Sequence, residues 1–251
     1  TGDVYFHVNA YEAYNYNLGS SVPITDADSV LDTPTSYESD TGVIGGNYCV
    51  INPVDSSNTS TTTEAGNLVT TLHSTSSIRG SFYVSSGKWY YEVTVNTLEN
   101  LYLGLAGNGG YAASYSSNDA FGVNNGGDIY KNNVNTGLNS VVLVAGSTFG
   151  IAFDADAKKW WIAKDGQWYS ANDATASTIN VSEVVAGNSG YDFSSLIGDR
   201  FAPHFGNSSN PGAKVTVNFG QHGSFKHTPP TGFKALCTQN LSDPDIADGS
   251  S

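Results

Sequence analysis

The chain has 251 residues, of which 23 are acidic and 10 are basic, so its formal net charge is −13. Such a surface, without a cluster of lysine and arginine, argues against nucleic acid and anionic membranes as partners, because phosphate binding needs grouped positive charge. Only 13% of the residues are charged and 39% are hydrophobic, and no apolar run is long enough to span a bilayer. These values predict a globular domain with a polar surface that carries little charge.

Residues 1–45 differ in pattern from the rest of the chain. VYFHV near the start is a candidate strand, and it is followed by an aromatic stretch and then by an acidic, turn-rich one. Because this part has no apolar face of its own, we expect an extended N-terminal arm that packs on a neighbouring subunit. The chain begins at Thr1 and contains no methionine, so we also expect a processed or excised piece of a longer protein.

The stretch from Gly80 to Val95 predicts a strand, a tight turn and a second strand. In the second strand one face carries Trp89, Tyr91, Val93 and Val95, and the other carries Tyr90, Glu92 and Thr94. Each large apolar side chain contributes roughly 1.5–3 kcal/mol when it is fully covered. Only a second sheet, or a wall of side chains from elsewhere, can cover such a face, so we predict a packed β-sandwich.

Further strands follow in chain order. They are LYLGLAG (101–107), AFGVNN and DIYKNN (120–133), VVLVAGSTFGIAFD (141–154), the hairpin KKWWIAKDGQWYS (158–170), FAPHF (201–205) and KVTVNFG (214–220). Asp165–Gly166 is a strong hairpin signal. Residues 171–190 are polar apart from an apolar patch at Val184–Val185, and no long stretch has the helical period. The prediction is an all-β fold.

Several of these segments, in this order, resemble SPRY (B30.2-like) domains. The matching stretches are GKWYYEVTV, LYLGLAG, FGIAFDADAKKWWIAKDGQW, FAPHFG and VTVNFGQ. The resemblance implies a bent antiparallel β-sandwich, a jelly roll of the concanavalin type, and a non-catalytic role. On this interpretation residues 1–45 are the N-terminal arm, residues 46–236 are the SPRY-like sandwich, and residues 237–251 are a linker-like tail.

The two ends of the sandwich carry a narrower resemblance. VLDTPTSY and GNYCVINP before it, and PPTGFKALCTQNL at its close, are similar to SPRY-like modules of bacteriophage tail-fibre and other virion proteins. This resemblance predicts an oligomeric module of a tail fibre, head fibre or decoration protein, on the virion surface or outside the cell. It predicts as partners a host-surface glycan or protein, or self or sister virion subunits. One alternative is a secreted bacterial carbohydrate-binding module or filament subunit, and another is a concanavalin-fold glycoside hydrolase.

Aromatic residues beside asparagine and glycine are the candidates for ligand binding. The predicted residues are Tyr111, Tyr115, Asn118, Tyr130, Trp168 and Tyr169. Rigid rings among amide and hydroxyl groups lose little side-chain entropy on binding. Trp160 and Trp161 alternate along one strand and therefore face opposite sides. Two alternatives remain open for them: one ring is exposed and stacks on a sugar, or both are packed inside.

The acidic residues do not form a catalytic pattern. A glycosidase needs two carboxylates roughly 5–10 Å apart across a cleft, and Glu92 has no acidic neighbour on its strand face. Asp154 and Asp156 enter a turn, where capping is their expected role. We therefore predict no catalytic residue and no cofactor, with calcium at Asp154 and Asp156, or at the pairs Asp26/Asp28 and Asp243/Asp245, as the remaining alternative.

The two cysteines lie at opposite ends of the predicted sandwich. Cys49 precedes its core strands and Cys237 follows them. Two alternatives remain open, a disulfide between them or two separate thiols, because the sequence does not place the β-carbons. No Cys/His spacing predicts a zinc site.

Overall fold

The computed structural model describes residues 47–108, 119–221 and 224–241, and it has the predicted all-β architecture. The arm predicted for residues 1–45 lies outside the described residues. Within the described ranges the strands are β1 (Thr62–Glu64), β2 (Val69–Leu72), β3 (Ser76–Arg79), β4 (Lys88–Thr97), β5 (Leu101–Gly107), β6 (Ala120–Asn124), β7 (Asp128–Lys131), β8 (Val134–Asn139), β9 (Thr148–Asp154), β10 (Lys159–Lys164), β11 (Gln167–Tyr169), β12 (Thr178–Ile179), β13 (Tyr191–Asp192), β14 (Phe201–Asn207), β15 (Ala213–Asn218) and β16 (Lys234–Ala235).

The described strands form two sheets. The ten-stranded sheet has the order β1-β2-β15-β4-β9-β10-β11-β12, with β13 joined to β10 and β16 joined to β4. The six-stranded sheet has the order β3-β14-β5-β6-β7-β8. All pairs are antiparallel except β16, which runs parallel to the start of β4. Strand β4, which carries the alternating pattern predicted from the sequence, therefore lies in the middle of the larger sheet.

Helices are few and short in the described part of the chain. One α-helix, α1, spans Val181–Val185, and 3-10 turns span Pro53–Asp55 and Thr238–Asn240. The sequence predicted an irregular segment where α1 lies, because five residues are too few to show the helical period. None of the described helices has the length and hydrophobicity of a membrane span.

The main hydrophobic core lies between the two sheets. Its members include Trp89, Tyr91, Val93 and Val95 of β4, Phe149, Ile151 and Phe153 of β9, and Leu101, Leu103 and Leu105 of β5. The predicted apolar face of β4 is therefore confirmed, and the same alternation holds on β9 and β5. One hydrogen bond also crosses the core, since the Tyr91 hydroxyl of the larger sheet donates to the Gly104 carbonyl of the smaller one at 3.2 Å.

The two cysteines lie on neighbouring extended segments. Tyr48 forms an antiparallel bridge with Cys237, and the Cys49 N–H donates to the Leu236 carbonyl at 2.8 Å. Successive residues of an extended segment point to opposite faces, so Cys49 and Cys237 point away from each other. Of the two alternatives, the structure has two buried thiols and not the disulfide.

Candidate binding site

The outer face of the ten-stranded sheet carries a second, smaller hydrophobic cluster. Its buried members are Tyr90, Ala152, Trp161, Ala163, Trp168, Val184 and Phe233. Within their strands, Tyr90, Trp161, Ala152 and Ala163 alternate with residues of the main core. Their side chains therefore lie on the outer face of the sheet. Val184 of α1 and Phe233 of the C-terminal segment cover them. The larger sheet is therefore covered on both sides at this position.

A pocket of about 830 Å³ opens beside this cluster. We call it the outer-face pocket. Strands β4, β9, β10 and β11 form its floor, with Tyr90, Gly150, Ala163 and Trp168 lining it. One wall comes from β12 and α1, and the facing wall comes from residues 227–231. We call residues 225–233, which carry that facing wall, the wall segment.

Glu92 fixes the wall segment to the centre of the sheet. Its buried carboxylate accepts hydrogen bonds from the backbone N–H groups of Lys226 and His227, both at 2.8 Å, and from the Tyr90 hydroxyl at 3.0 Å. Hydrogen bonds to a charged acceptor are about twice as strong as neutral ones. Glu92 therefore has a structural role on the outer face that its strand position alone does not show.

Tyr90 connects this carboxylate to the hydrophobic cluster. Its ring packs edge-to-face on Phe225, with centroids 4.8 Å apart, and is tilted against Trp168 at 6.4 Å. Burial, followed by the adjacent Glu92 carboxylate, raises the pKa of the Tyr90 hydroxyl far above its usual value. The hydroxyl therefore stays protonated and remains a hydrogen-bond donor to Glu92.

The hairpin turn between β10 and β11 gives the wall segment a second attachment. Gly166 has a φ of +86°, and a β-carbon there would lie 3.1 Å from Nδ1 of His227, so the histidine ring packs on the turn. Asp165 accepts a hydrogen bond from the Thr148 N–H at 3.0 Å, and this bond is the main reason that the pKa of Asp165 is lowered. The Lys226 ammonium donates to the Thr148 hydroxyl at 3.1 Å.

The structure distributes the predicted ligand-binding residues over both sheets. Trp168 lines the outer-face pocket, and Tyr169 beside it is half-buried against the main core. Tyr130 lies on β7 of the six-stranded sheet, where it packs edge-to-face on Tyr102 at 5.6 Å. The structure therefore does not bring Tyr130 and Trp168 together. Tyr111, Tyr115 and Asn118 lie outside the described residues.

Both tryptophans of β10 are packed inside the protein, which was the second of the two alternatives. They face opposite sides as predicted, and both are fully buried, Trp160 in the main core and Trp161 in the outer-face cluster. The Trp161 indole N–H donates to the Asn188 carbonyl at 2.6 Å. Trp168 is also buried, at 5% exposure. None of these three rings offers an open face for a sugar.

The described acidic residues weighed for catalysis or calcium binding have structural partners, and the other two aspartate pairs lie outside the described residues. The Asp154 carboxylate accepts from the Ala157 N–H at 2.8 Å and lies 3.6 Å from the Lys88 ammonium. The Asp156 carboxylate accepts from the Gly87 N–H at 2.9 Å, which ties two turns together. Among the described residues, no group of three or more His, Cys, Asp or Glu side chains could hold a metal ion.

Sequence reasoning missed the two walls of the outer-face pocket. The Pro/Gly punctuation after Thr228 gave no strand prediction there, yet Phe233 and Leu236 are buried and β16 pairs with β4. The available signal was the short apolar group of Phe233, Ala235, Leu236 and Cys237, interrupted only by Lys234. For α1 the signal was Asn180, a residue that commonly precedes a helix, before the apolar Val181 and Val184.

Comparisons with known proteins identify the class of fold. Neither a protein-family model nor a curated protein sequence matches the chain. Among solved structures, the SPRY domain of human HERC1 is similar over 67% of this chain and 96% of its own, with 17% identity and a TM-score of 0.51. The PSpry domain of TRIM65 is similar over 68% and 92%, with 13% identity and a TM-score of 0.45. The similarity to the HERC1 domain shows that the chain has a SPRY-like β-sandwich fold, and it extends to the fold alone.

Proposed function

We propose that this chain is a non-catalytic binding module of a virion or another extracellular assembly, and that it attaches to a protein through the outer-face pocket. That protein belongs to a host surface or to a sister subunit. The low-charge polar composition and the resemblance of residues 30–53 and 229–241 to virion modules support the location. The resemblance to SPRY domains supports a binding role by analogy, and the case for that role depends on the site itself.

One observation carries the proposal. The pocket of about 830 Å³ is within the size range of ligand sites, and its wall segment is fixed to the sheet by Glu92. Among the described lining residues the only titratable side chains are Tyr90 and His227. Tyr90 is engaged by Glu92, and Nε2 of His227 is enclosed without a hydrogen-bond partner. The pocket is therefore suited to holding a ligand rather than to proton transfer.

The experiment compares two valine-to-arginine variants for binding to surfaces. Val181 lies in the pocket wall with 46% of its surface exposed, and Val142 lies away from the pocket with 51% exposed. The labelled protein is incubated with a panel of intact bacterial cells and with purified particles, and bound label is measured. We expect saturable binding that Val181→Arg abolishes and Val142→Arg retains. Equal binding by both variants, no binding to any surface, or release of sugar fragments would overturn the proposal.

A further inference from the structure

No charged side chain is among the described residues that line the outer-face pocket, although the chain has a net charge of −13. The sequence has 33 acidic and basic residues, and none of the residues that line the pocket in the described ranges is Asp, Glu, Lys or Arg. A charged group that entered the pocket would lose water and find no opposite charge there. Burying an unpaired charge is costly. An uncharged group therefore fits this pocket better than a charged one.

The apolar surface that a ligand can reach is aliphatic. Val181 and Val185, one turn apart on α1, are 46% and 37% exposed, and Pro229 of the facing wall is half-buried. The aromatic floor is inaccessible by comparison, with Trp168 at 5% exposure and Tyr90 at 1%. Sugar recognition commonly uses an open aromatic face, which is absent from the described lining residues. Small apolar walls fit an aliphatic side chain better than a sugar ring.

The polar groups of the pocket match a peptide backbone. Asn180 stands at the start of α1, and its side chain makes no capping hydrogen bond, so its carboxamide is available on the pocket rim. Gln167 lines the same rim, and its side-chain N–H group already donates to main-chain carbonyls of β11 and β12. A carboxamide offers one acceptor and two donors, and each peptide unit offers the complementary pair.

We propose that the outer-face pocket binds an uncharged polypeptide segment, which inserts one aliphatic or proline side chain between Val181, Val185 and Pro229. This inference rests on the proposed function and specifies its ligand. The segment lies between α1 and the wall segment, and its backbone exchanges hydrogen bonds with the carboxamide of Asn180. Neutral segments bind and charged ones are rejected, because rejection needs only the absence of a counter-charge in the pocket.

The experiment titrates defined probes into the isotope-labelled whole chain and follows backbone amide signals by NMR. The probes are twelve-residue peptides of Gly, Ser and Asn that carry one central Val, Pro, Lys or Glu, together with a panel of neutral oligosaccharides. We expect the Val and Pro peptides to shift amides of α1 and the wall segment. The Lys and Glu peptides should bind at least ten-fold more weakly. Val181→Asp should remove the effect, and the matched variant Val142→Asp should keep it.

The other outcomes show which of the two proposals fails. Oligosaccharides that shift the pocket amides in place of the peptides would overturn both the peptide ligand and the protein partner of the proposed function, and only the binding role of the pocket would stand. Charged peptides that bind as well as the Val peptide would overturn the argument from neutrality. Absence of any shift with all probes would overturn the inference, while surface binding that depends on Val181 would still support the proposed function.

Discussion

Glu92 and His204 are buried ionisable side chains on the two outer faces of the sandwich, and they differ in their hydrogen bonding. On the ten-stranded sheet the Glu92 carboxylate accepts three hydrogen bonds, two of them from the backbone of the wall segment. On the six-stranded sheet His204 is fully buried, and in the described part of the chain neither of its ring nitrogens has a hydrogen-bond partner. Its neighbour Phe205 belongs to the core, so His204 points outward.

The surroundings of the two groups explain the difference. Glu92 faces N–H and O–H donors that satisfy its two acceptor oxygens. His204 is paired in register with Arg79, whose guanidinium binds Asp55 at 2.6 Å. Burial first, and then the charge of Arg79, lowers the pKa of His204 to about 3. Glu92, whose oxygens are hydrogen-bonded, thus attaches the wall segment to the sheet. His204, which has no hydrogen-bond partner among the described residues, makes the fold sensitive to acid.

The largest expected effect is the acid sensitivity caused by His204. The unfolded chain protonates this residue below its ordinary pKa of 6.5, and the folded chain does so only near its lowered pKa of about 3. The unfolded state therefore binds more protons between these values, and stability falls as the pH falls. The loss is on the order of 1.4 kcal/mol per pH unit. His204→Asn should remove it, as measured by urea unfolding at pH 7, 6, 5 and 4. If the free energy of unfolding fell equally with pH in the variant and the parent, this assignment to His204 would be contradicted.

Next in size is the loss of the carboxylate that fixes the wall segment. Glu92→Gln keeps one acceptor oxygen but turns an N–H group toward the amides of Lys226 or His227, so one buried backbone donor loses its partner. The free energy of unfolding should fall by about 2 kcal/mol, and the amides of the wall segment should exchange with solvent faster.

The matched control for this change is Glu64→Gln. Glu64 is an exposed residue of β1 that pairs with Lys214, and exposed pairs contribute about 1 kcal/mol or less. Both variants remove one negative charge, so the difference between them isolates the hydrogen bonds of Glu92. Equal losses of stability in the two variants would show that Glu92 contributes only as a charge.

The two faces of the larger sheet also differ in how well the sequence predicts them. The faces of β4 and β9 follow from alternation, because a strand that covers a core must repeat its apolar residues every second position. The outer-face pocket does not follow, since Glu92 and the backbone of Lys226 that it binds are 134 positions apart in the chain. No local pattern encodes such a contact.

Trp168 illustrates the same limit for a single side chain. The structure places it beside the outer-face pocket, on the strand that follows the Asp165–Gly166 turn. Its exposure was not predictable, since Tyr90 and the outer-face cluster cover it from other parts of the chain. The main core can be predicted from the alternation within each strand. The outer face can be predicted only from contacts between segments that are distant in the chain.

The smallest expected effect separates the two faces of β4 at adjacent residues. Tyr90→Phe removes the hydroxyl that donates to Glu92, and Tyr91→Phe removes the one that donates to Gly104 across the core. Each change should cost about 1 kcal/mol of stability, because each deletes one buried hydrogen bond. Only Tyr90→Phe should also increase amide exchange in the wall segment, since Tyr91 contacts the opposite face. If both variants, or neither, changed exchange there, the outer face would not be an independent unit fastened at Glu92.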